Sequence, residues 1–216
     1  MADHSASPTE GSSSDPPASA DHPEVLARLG ERTINSSLVY QGLFLKLRRD
    51  AARLPDGSVH EREWVVHPGA SAVVALDDQE RVLIERQFRY PMGRVYLEIP
   101  AGKIDAGETP LQTMRRELVE ETGYQAAQWA PLTQIHPAIG FSNEIIHLFL
   151  ARDLTRVDAG ASPDHGELIE IEWVPLGWLV DELRAGRLPD VKTQIGVMHL
   201  QQMVQGAWPW PAFAAD

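Results

Sequence analysis

The chain has 216 residues, no cysteine, and 31 acidic against 19 basic side chains, which gives a formal net charge of −12. The absence of cysteine excludes disulfides, thiolate zinc sites and a cysteine nucleophile, and the acidic balance argues against a nucleic-acid partner, which would need a basic surface. No apolar run reaches membrane-spanning length and the N-terminus lacks a signal-peptide profile, so we expect a cytoplasmic protein with no membrane partner.

The first part of the chain changes character twice. Residues 1–22 are rich in Ser, Pro, Ala and Asp without a periodic apolar pattern, which predicts a disordered tail. From about Ser37 apolar and polar residues alternate, and a turn at Leu54–Gly57 precedes a second alternating segment, Ser58–Val66. These strands are too few for an independent domain. We therefore expect an N-terminal antiparallel strand unit at residues 23–66, followed by the main domain at residues 67–216.

The remaining elements alternate between short strands and a few helices. Further strands are predicted at Ala70–Leu76, Val82–Phe88, Tyr96–Ile99, Ile145–Ala151 and Leu168–Val174. Two helices are predicted at Leu176–Ala185 and Val191–Val204, the second with an apolar stripe of Val191, Ile195 and Met198. Because few parallel crossover units are present, the pattern favours an α+β fold over a doubly wound sheet.

One helix between these strands has well-defined ends. Thr109 is a candidate N-cap, Pro110 occupies the first helical position, and Gly123 is a candidate C′ residue. An apolar stripe on this helix is formed by Leu111, Met114 and Leu118.

Three carboxylates lie off that stripe. Glu117, Glu120 and Glu121 are spaced i, i+3 and i+4 and therefore share one helical face, where like charges weaken the helix. An oxygen-rich, cysteine-free cluster suits Mg²⁺ or Mn²⁺ rather than zinc. The competing interpretation is a solvated acidic face that uses Arg115 and Arg116 as ion-pair partners.

The segment Gly102–Tyr124 resembles the Nudix box, the signature of the Nudix hydrolases. It reads G-K-I-D-A-G-E-T-P-L-Q-T-M-R-R-E-L-V-E-E-T-G-Y, and it departs from the family pattern only in its last residue, which is usually aliphatic. The resemblance implies a Nudix α/β/α sandwich with a mixed sheet. It also implies that Glu117 and Glu121 bind the metal directly, and that Glu120 binds it directly or through water. Arg116 would orient a carboxylate, with Glu108 as its expected partner.

Further segments resemble the ADP-ribose pyrophosphatase branch, over roughly residues 37–204. They are Arg62–Ala70, Arg86–Pro91, Leu97–Glu108 and Gly140–Glu144. The resemblance implies that the Ala101 carbonyl is a metal ligand, that Arg62 and Arg89 contact phosphates, and that Glu63 lies in the substrate pocket. It also implies that Glu144, on a mobile loop, is the general base, with Glu120 next in line.

Each of these residues has a plainer interpretation. Arg62 and Glu63 could be neighbours on a surface strand, Arg89 could pair with a surface acid, and Glu144 could be an ordinary turn residue. Loops hold catalytic groups often, which favours the functional interpretation of Glu144. The stretch before it reads Pro137-Ala138-Ile139-Gly140 where the branch often has a second proline, so the identity of the sugar stays open.

The resemblance implies an enzyme that uses Mg²⁺, with Mn²⁺ able to substitute, to hydrolyse the pyrophosphate of ADP-ribose or a related nucleoside diphosphate sugar. The products from ADP-ribose would be AMP and ribose 5-phosphate. In the resembling enzymes the N-terminal unit builds a homodimer. The alternatives are hydrolysis of another nucleotide, such as a nucleoside triphosphate or a dinucleoside polyphosphate, and a non-catalytic ligand-sensing module.

Overall fold

The computed structural model describes residues 22–157, 161–162, 166 and 168–215, so residues 1–21 of the expected tail lie outside the described residues. The chain divides into two compact units. The smaller unit consists of the described residues up to Val39 together with Arg48–Glu63. The larger unit consists of Tyr40–Leu47 and Trp64–Asp216.

The strands come in runs that are separated by a few helices, as is typical of an α+β fold. The helices are α1 (Pro23–Leu29), α2 (Pro110–Thr122), α3 (Leu176–Arg184) and α4 (Val191–Val204), with a 3₁₀ turn at Tyr90–Met92. The strands are β1 (Arg32–Gln41), β2 (Lys46–Arg53), β3 (Val59–Val66), β4 (Ala70–Ala75), β5 (Arg81–Arg89), β6 (Arg94–Glu98), β7 (Ala101–Lys103), β8 (Tyr124–Ile135), β9 (Ile146–Arg156), β10 (Ile169–Pro175) and β11 (Ala214–Ala215). In the described part of the chain, every helix is too short or too polar to cross a membrane.

Three sheets contain these strands. Their orders are β1-β2-β3, β10-β5-β6 and β11-β8-β9-β4-β7. The five-stranded sheet is mixed, because β4 runs parallel to β9 and antiparallel to β7. The strands predicted at Ala70–Leu76 and Val82–Phe88 are confirmed as β4 and β5.

All six residues of strand β4 are buried. Successive side chains of a strand point to opposite faces. Val74 accordingly packs in one core with Leu179 of α3 and Leu200 of α4. Val73 belongs to a second core with Met114, which lies on α2. Helices therefore cover both faces of the mixed sheet, which is the expected α/β/α sandwich.

The predicted apolar stripe of α4 is wrong at two of its three residues, although the helix has the predicted bounds and Ile195 packs against the core. Val191 and Met198 are 42% and 44% exposed. The buried face instead includes Thr193 and Gly196, two residues that an apolar pattern does not mark. Gly196 allows the helix to approach the sheet so closely that a Cβ there would lie 2.6 Å from Cγ2 of Val74.

We expect Gly196→Ala to lower the free energy of unfolding by about 1 kcal/mol. Alanine gains about 0.5–1 kcal/mol of helix propensity over glycine, but the collision with the buried, β-branched Val74 costs about 1–3 kcal/mol. The matched control is Gly177→Ala in α3, where a Cβ would meet nothing within 4 Å, and which should raise stability slightly. Urea unfolding of both variants checks the pair; equal gains would show that the contact is not tight.

Candidate active site

Local sequence fixes the helix that carries the acidic residues. Thr109 caps α2 by accepting a hydrogen bond from the Gln112 amide, and the Gln112 side chain accepts one from the Thr109 amide in return. Pro110 occupies the first turn, and Gly123 closes the helix in the left-handed conformation at φ 72°. The predicted ends of this helix are confirmed. The two caps fix where α2 begins and ends, and the helical geometry then determines the direction in which its carboxylates point.

Arg116 is the centre of the acidic face. Its Nε and Nη2 donate to the two carboxylate oxygens of Glu108, each at 3.0 Å. Its Nη1 lies 2.8 Å from an oxygen of Glu120 and 2.9 Å from an oxygen of Glu117. With a further hydrogen bond from Thr113, the Arg116 fork lowers the pKa of Glu108 to about 2. One guanidinium therefore neutralises much of the repulsion among three carboxylates.

Glu121 points elsewhere and is buried. Its Oε2 accepts a hydrogen bond from the Ala101 amide at 3.1 Å, and it is only 6% exposed. A second buried carboxyl group, Glu85 on β5, shares a hydrogen bond with it, and burial raises the pKa of Glu85 to about 8. Oε1 of Glu85 has no hydrogen-bond partner. Sequence analysis missed Glu85; its signal is an acidic residue that directly follows the fully apolar run Val82–Ile84.

Strand β7 brings the backbone next to these carboxylates. It pairs with β4, with Ala101 opposite Ala72 and Gly102 opposite Ser71. A Cβ at position 102 would collide with the carboxylate of Glu117. Glycine is required here because it alone lets a carboxylate lie against the backbone.

The chemistry of these groups fits a hard divalent cation. Glu117, Glu120 and Glu121, with the backbone of Ala101, offer only oxygen ligands, which Mg²⁺ and Mn²⁺ prefer. The buried oxygen of Glu85 that lacks a hydrogen-bond partner also favours a cation near these carboxylates. Among the described residues no three acidic or histidine side chains already form a metal cage, since Arg116 holds Glu117 and Glu120 in the arrangement observed.

A second group of charges lies between β5, β6 and the start of α4. Nε and Nη2 of Arg89 form a fork on the buried carboxylate of Glu98, with both distances 2.7 Å. Lys192 forms an ion pair with Glu98 and donates to Asp190 at 3.1 Å. Burial would raise the pKa of Glu98, but the hydrogen bonds and charges of Arg89 and Lys192 outweigh it and lower that pKa. Arg89 is thereby held in one orientation while its side chain stays 43% exposed.

Both groups of charges face one cavity of about 690 Å³, a size typical of small-molecule sites. Its acidic wall includes Glu117 and Glu121. Its basic side chains include Arg89 and Lys192. Further lining residues include Phe44, His67, Tyr96, Ala101, Gly102, Lys103 and Glu144. The structure thus brings together five of the residues singled out from sequence, namely Arg89, Ala101, Glu117, Glu121 and Glu144.

Glu144 lies on the loop between β8 and β9. Its amide donates to Oγ of Ser142 at 3.2 Å, and its carboxylate lies 3.6 Å from Nδ1 of His67. The Glu144 side chain is 24% exposed. The general base predicted from sequence is therefore a partly buried carboxylate at the wall of the cavity.

Arg62 and Glu63 lie on β3 in the smaller unit. Arg62 forms a fork on Glu31, with distances of 2.9 and 2.7 Å, and Glu63 accepts from Arg49 at 3.1 Å. These pairs are the surface arrangement that the plainer interpretation describes. Their roles toward a substrate stay predictions.

Two protein-family models match the chain. A NUDIX domain matches residues 65–193. A nucleoside diphosphate sugar hydrolase N-terminal domain matches residues 31–65.

Several characterised proteins resemble the chain over most of their length. The ADP-ribose pyrophosphatase of Bacillus subtilis is 37% identical over 80% of this chain and 94% of its own. The ADP-ribose pyrophosphatase of Mycobacterium tuberculosis is 35% identical over 83% and 87%. A methanol dehydrogenase activator from Bacillus methanolicus is also 37% identical, over 79% and 92%.

The fold is shared with a solved structure. A crystal structure of an ADP compounds hydrolase superposes with a TM-score of 0.71 over 82% of this chain and 95% of its own, at 18% identity. At that identity the similarity concerns the fold alone. The match of the NUDIX domain to more than half of the chain, and relatives of 35–37% identity, settle the family: the chain belongs to the Nudix family.

Proposed function

We propose that this protein is a divalent-metal-dependent pyrophosphohydrolase that cleaves ADP-ribose, or a related nucleoside diphosphate sugar, to AMP and ribose 5-phosphate. The observation that carries the proposal is the cavity, in which an acidic wall (Glu117, Glu121) and basic side chains (Arg89, Lys192) face the same space. A metal-bound pyrophosphate would need carboxylates to hold the metal and cationic side chains to bind its phosphate oxygens. The names of the Bacillus subtilis and Mycobacterium tuberculosis relatives support this substrate class.

The residues act through charge and position. A bound Mg²⁺, or Mn²⁺ in its place, supplies screening of the phosphate charge and lowers the pKa of water. Glu117, Glu121, Glu120 and the Ala101 carbonyl would hold the metal. Arg89, oriented by Glu98, would bind a phosphate oxygen by the part of its guanidinium that faces the cavity.

The residue that would accept the proton, Glu144, lies outside the Nudix box. Glu144 lines the cavity independently of α2 and would accept the proton of the attacking water. Glu120 is the alternative, but one of its carboxylate oxygens already accepts a hydrogen bond from Arg116 Nη1 at 2.8 Å. Arg116 itself acts on the reaction by orienting Glu108, Glu117 and Glu120. Action in the cytoplasm stays a prediction from sequence.

The activity is tested by a turnover screen with Mg²⁺ on nucleoside diphosphate sugars, nucleoside triphosphates and dinucleoside polyphosphates. We expect ADP-ribose or another nucleoside diphosphate sugar to be hydrolysed fastest, with AMP and ribose 5-phosphate identified chromatographically from ADP-ribose. Preferential turnover of triphosphates or dinucleotides would support another nucleotide as substrate. Tight binding without turnover would support a ligand-sensing module instead.

For the metal site, Glu117→Gln and Glu121→Gln should each reduce kcat by at least about a hundredfold, because each removes one ligand charge with little change of shape. Titration calorimetry with Mn²⁺ should show weaker binding independently of turnover. Glu170→Gln, at an exposed position of β10, is the control and should change neither quantity. Near wild-type activity and Mn²⁺ affinity in both site variants would refute the assignment.

We further propose that the N-terminal strand unit forms an isologous homodimer. Its strand β1 exposes Ile34, Leu38 and Val39 by 43–50%, an apolar surface of the kind that marks interfaces. Light scattering should give twice the chain mass of 24.0 kDa.

A charge at the apolar surface should break the dimer. Leu38→Glu should shift the mass toward that of one chain, whereas Leu168→Glu, at a position 89% exposed outside this unit, should not. A fully active wild-type monomer at micromolar concentration would contradict the proposal.

A further inference from the structure

The loop that carries Glu144 is bound to the segment 65–70 on both sides of this residue. Before Glu144, the amide of Val65 donates to the carbonyl of Phe141 at 2.8 Å. After it, the amide of Ala70 donates to the carbonyl of Ile145 at 2.9 Å. The loop is thus tied to the segment that leads into the buried strand β4, although the family resemblance implies a mobile loop.

Between these two backbone hydrogen bonds, the side chain of Asn143 binds the backbone of His67. Its Oδ1 accepts from the His67 amide at 2.8 Å, and its Nδ2 donates to the His67 carbonyl at 3.3 Å. One carboxamide thereby satisfies both backbone polar groups of one residue, as a neighbouring strand would. The reverse orientation of the amide would set donor against donor and acceptor against acceptor, so the pairing fixes which way the side chain points.

The residue held by Asn143 is also the one that meets Glu144. The His67 side chain is 11% exposed, and its Nδ1 lies 3.6 Å from the Glu144 carboxylate. The Gly69 amide donates to the same Nδ1 at 3.1 Å. The rings of Phe44 and His67 pack nearly perpendicular to each other, with their centroids 6.0 Å apart. The ring is therefore held on several sides, and a shift of its backbone would change the surroundings of Glu144.

We infer that Asn143 is a positioning residue for hydrolysis. Its carboxamide hydrogen bonds to both the amide and the carbonyl of His67, and it thereby holds the adjacent Glu144 carboxylate at the cavity wall. The inference rests on the proposed function, in which Glu144 is the base. In that step the water oxygen bonds to phosphorus and its proton passes to Glu144. The bridging P–O bond breaks, and its electron pair stays on the leaving phosphate.

The position of a base matters more to the rate than to binding. A displacement of about 1 Å at the reacting atoms can cost about a hundredfold in rate, while the contacts that hold substrate, such as Arg89, stay in place. Loss of the Asn143 carboxamide should therefore lower kcat and leave KM nearly unchanged.

The first arm of the test compares Asn143→Ala with Ile139→Ala. Ile139 lies on the same loop and is 82% exposed. Its replacement alters the loop but keeps the two hydrogen bonds between Asn143 and His67, so it serves as the control. We expect kcat to fall at least about tenfold for Asn143→Ala, with KM and Mn²⁺ affinity unchanged, and no change for Ile139→Ala. Asn143→Ser, which can reach at most one of the two His67 groups, gives a second variant should the alanine variant misfold.

The second arm separates positioning from a general structural effect. In a Glu144→Gln background, Asn143→Ala should cause little further loss of kcat, because the group that it positions is already removed. Equal losses in both backgrounds, or a kcat equal to that of Ile139→Ala, would overturn the inference.

The third arm does not depend on turnover. Hydrogen exchange of the His67 amide in the metal-free protein should accelerate in Asn143→Ala and stay slow in Ile139→Ala. Unchanged exchange would overturn the role of Asn143. If wild-type protein hydrolyses none of the nucleotides, the proposed function fails, and the exchange rates still decide whether Asn143 holds His67.

Discussion

The arrangement of the acidic face of α2 depends on Arg116, whose guanidinium is shared by Glu108, Glu117 and Glu120. Like charges at i,i+4 spacing destabilise a helix by a few tenths of a kcal/mol per pair, and the arginine converts that repulsion into attraction. A divalent cation at this position would therefore compete with Arg116 for the oxygens of Glu117 and Glu120. Glu121, held by the Ala101 amide, is outside this competition, so it presents its carboxylate independently of the arginine.

The basic side of the cavity is organised by a different means, because its ion pairs are buried. Glu98 is 4% exposed and carries two cationic partners, Arg89 and Lys192. Buried ion pairs contribute little net stability, since desolvation offsets the attraction. These ion pairs instead fix the orientation of the Arg89 side chain, because its two hydrogen bonds to Glu98 leave it few alternative rotamers. Burial outweighs the charges of Lys192 and Arg89 at Glu85 and raises its pKa, whereas at Glu98 the same two side chains also donate hydrogen bonds and the pKa is lowered.

The elements that could be predicted from sequence are those determined by their own residues. The caps Thr109 and Gly123 and the apolar runs of β4 and β5 are local signals, and the structure confirms them. Strand β8 gave no such signal. It contains Pro131 and several glutamines, it carries an irregularity between Pro131 and Thr133, and it is made a strand by its long pairing with β9.

The same distinction explains the error in α4. Its inner face includes Thr193, whose hydroxyl accepts from the Ile99 amide, and Gly196, which is needed for the close contact with Val74. A hydrophobic pattern detects neither residue, because each is needed for its contact with a partner that is distant in the sequence, Ile99 for Thr193 and Val74 for Gly196. Glu98 and Lys192 were missed for the same reason: a charged residue is visible in sequence, but its buried partner is not.

These distant contacts determine how the site is built. The Nudix box is one continuous segment, so its carboxylates, cap and glycine come together whenever α2 forms. The groups around them come from elsewhere: 94 positions separate Lys192 from Glu98, and 76 separate Asn143 from His67. Because α4 and the Glu144 loop line the cavity from segments other than α2, substitutions there can alter the shape of the cavity while the carboxylates of α2 stay intact. The acidic wall (Glu117 and Glu121) and the part of the cavity lined by α4 and the Glu144 loop thus come from separate segments, and changes in one need not disturb the other.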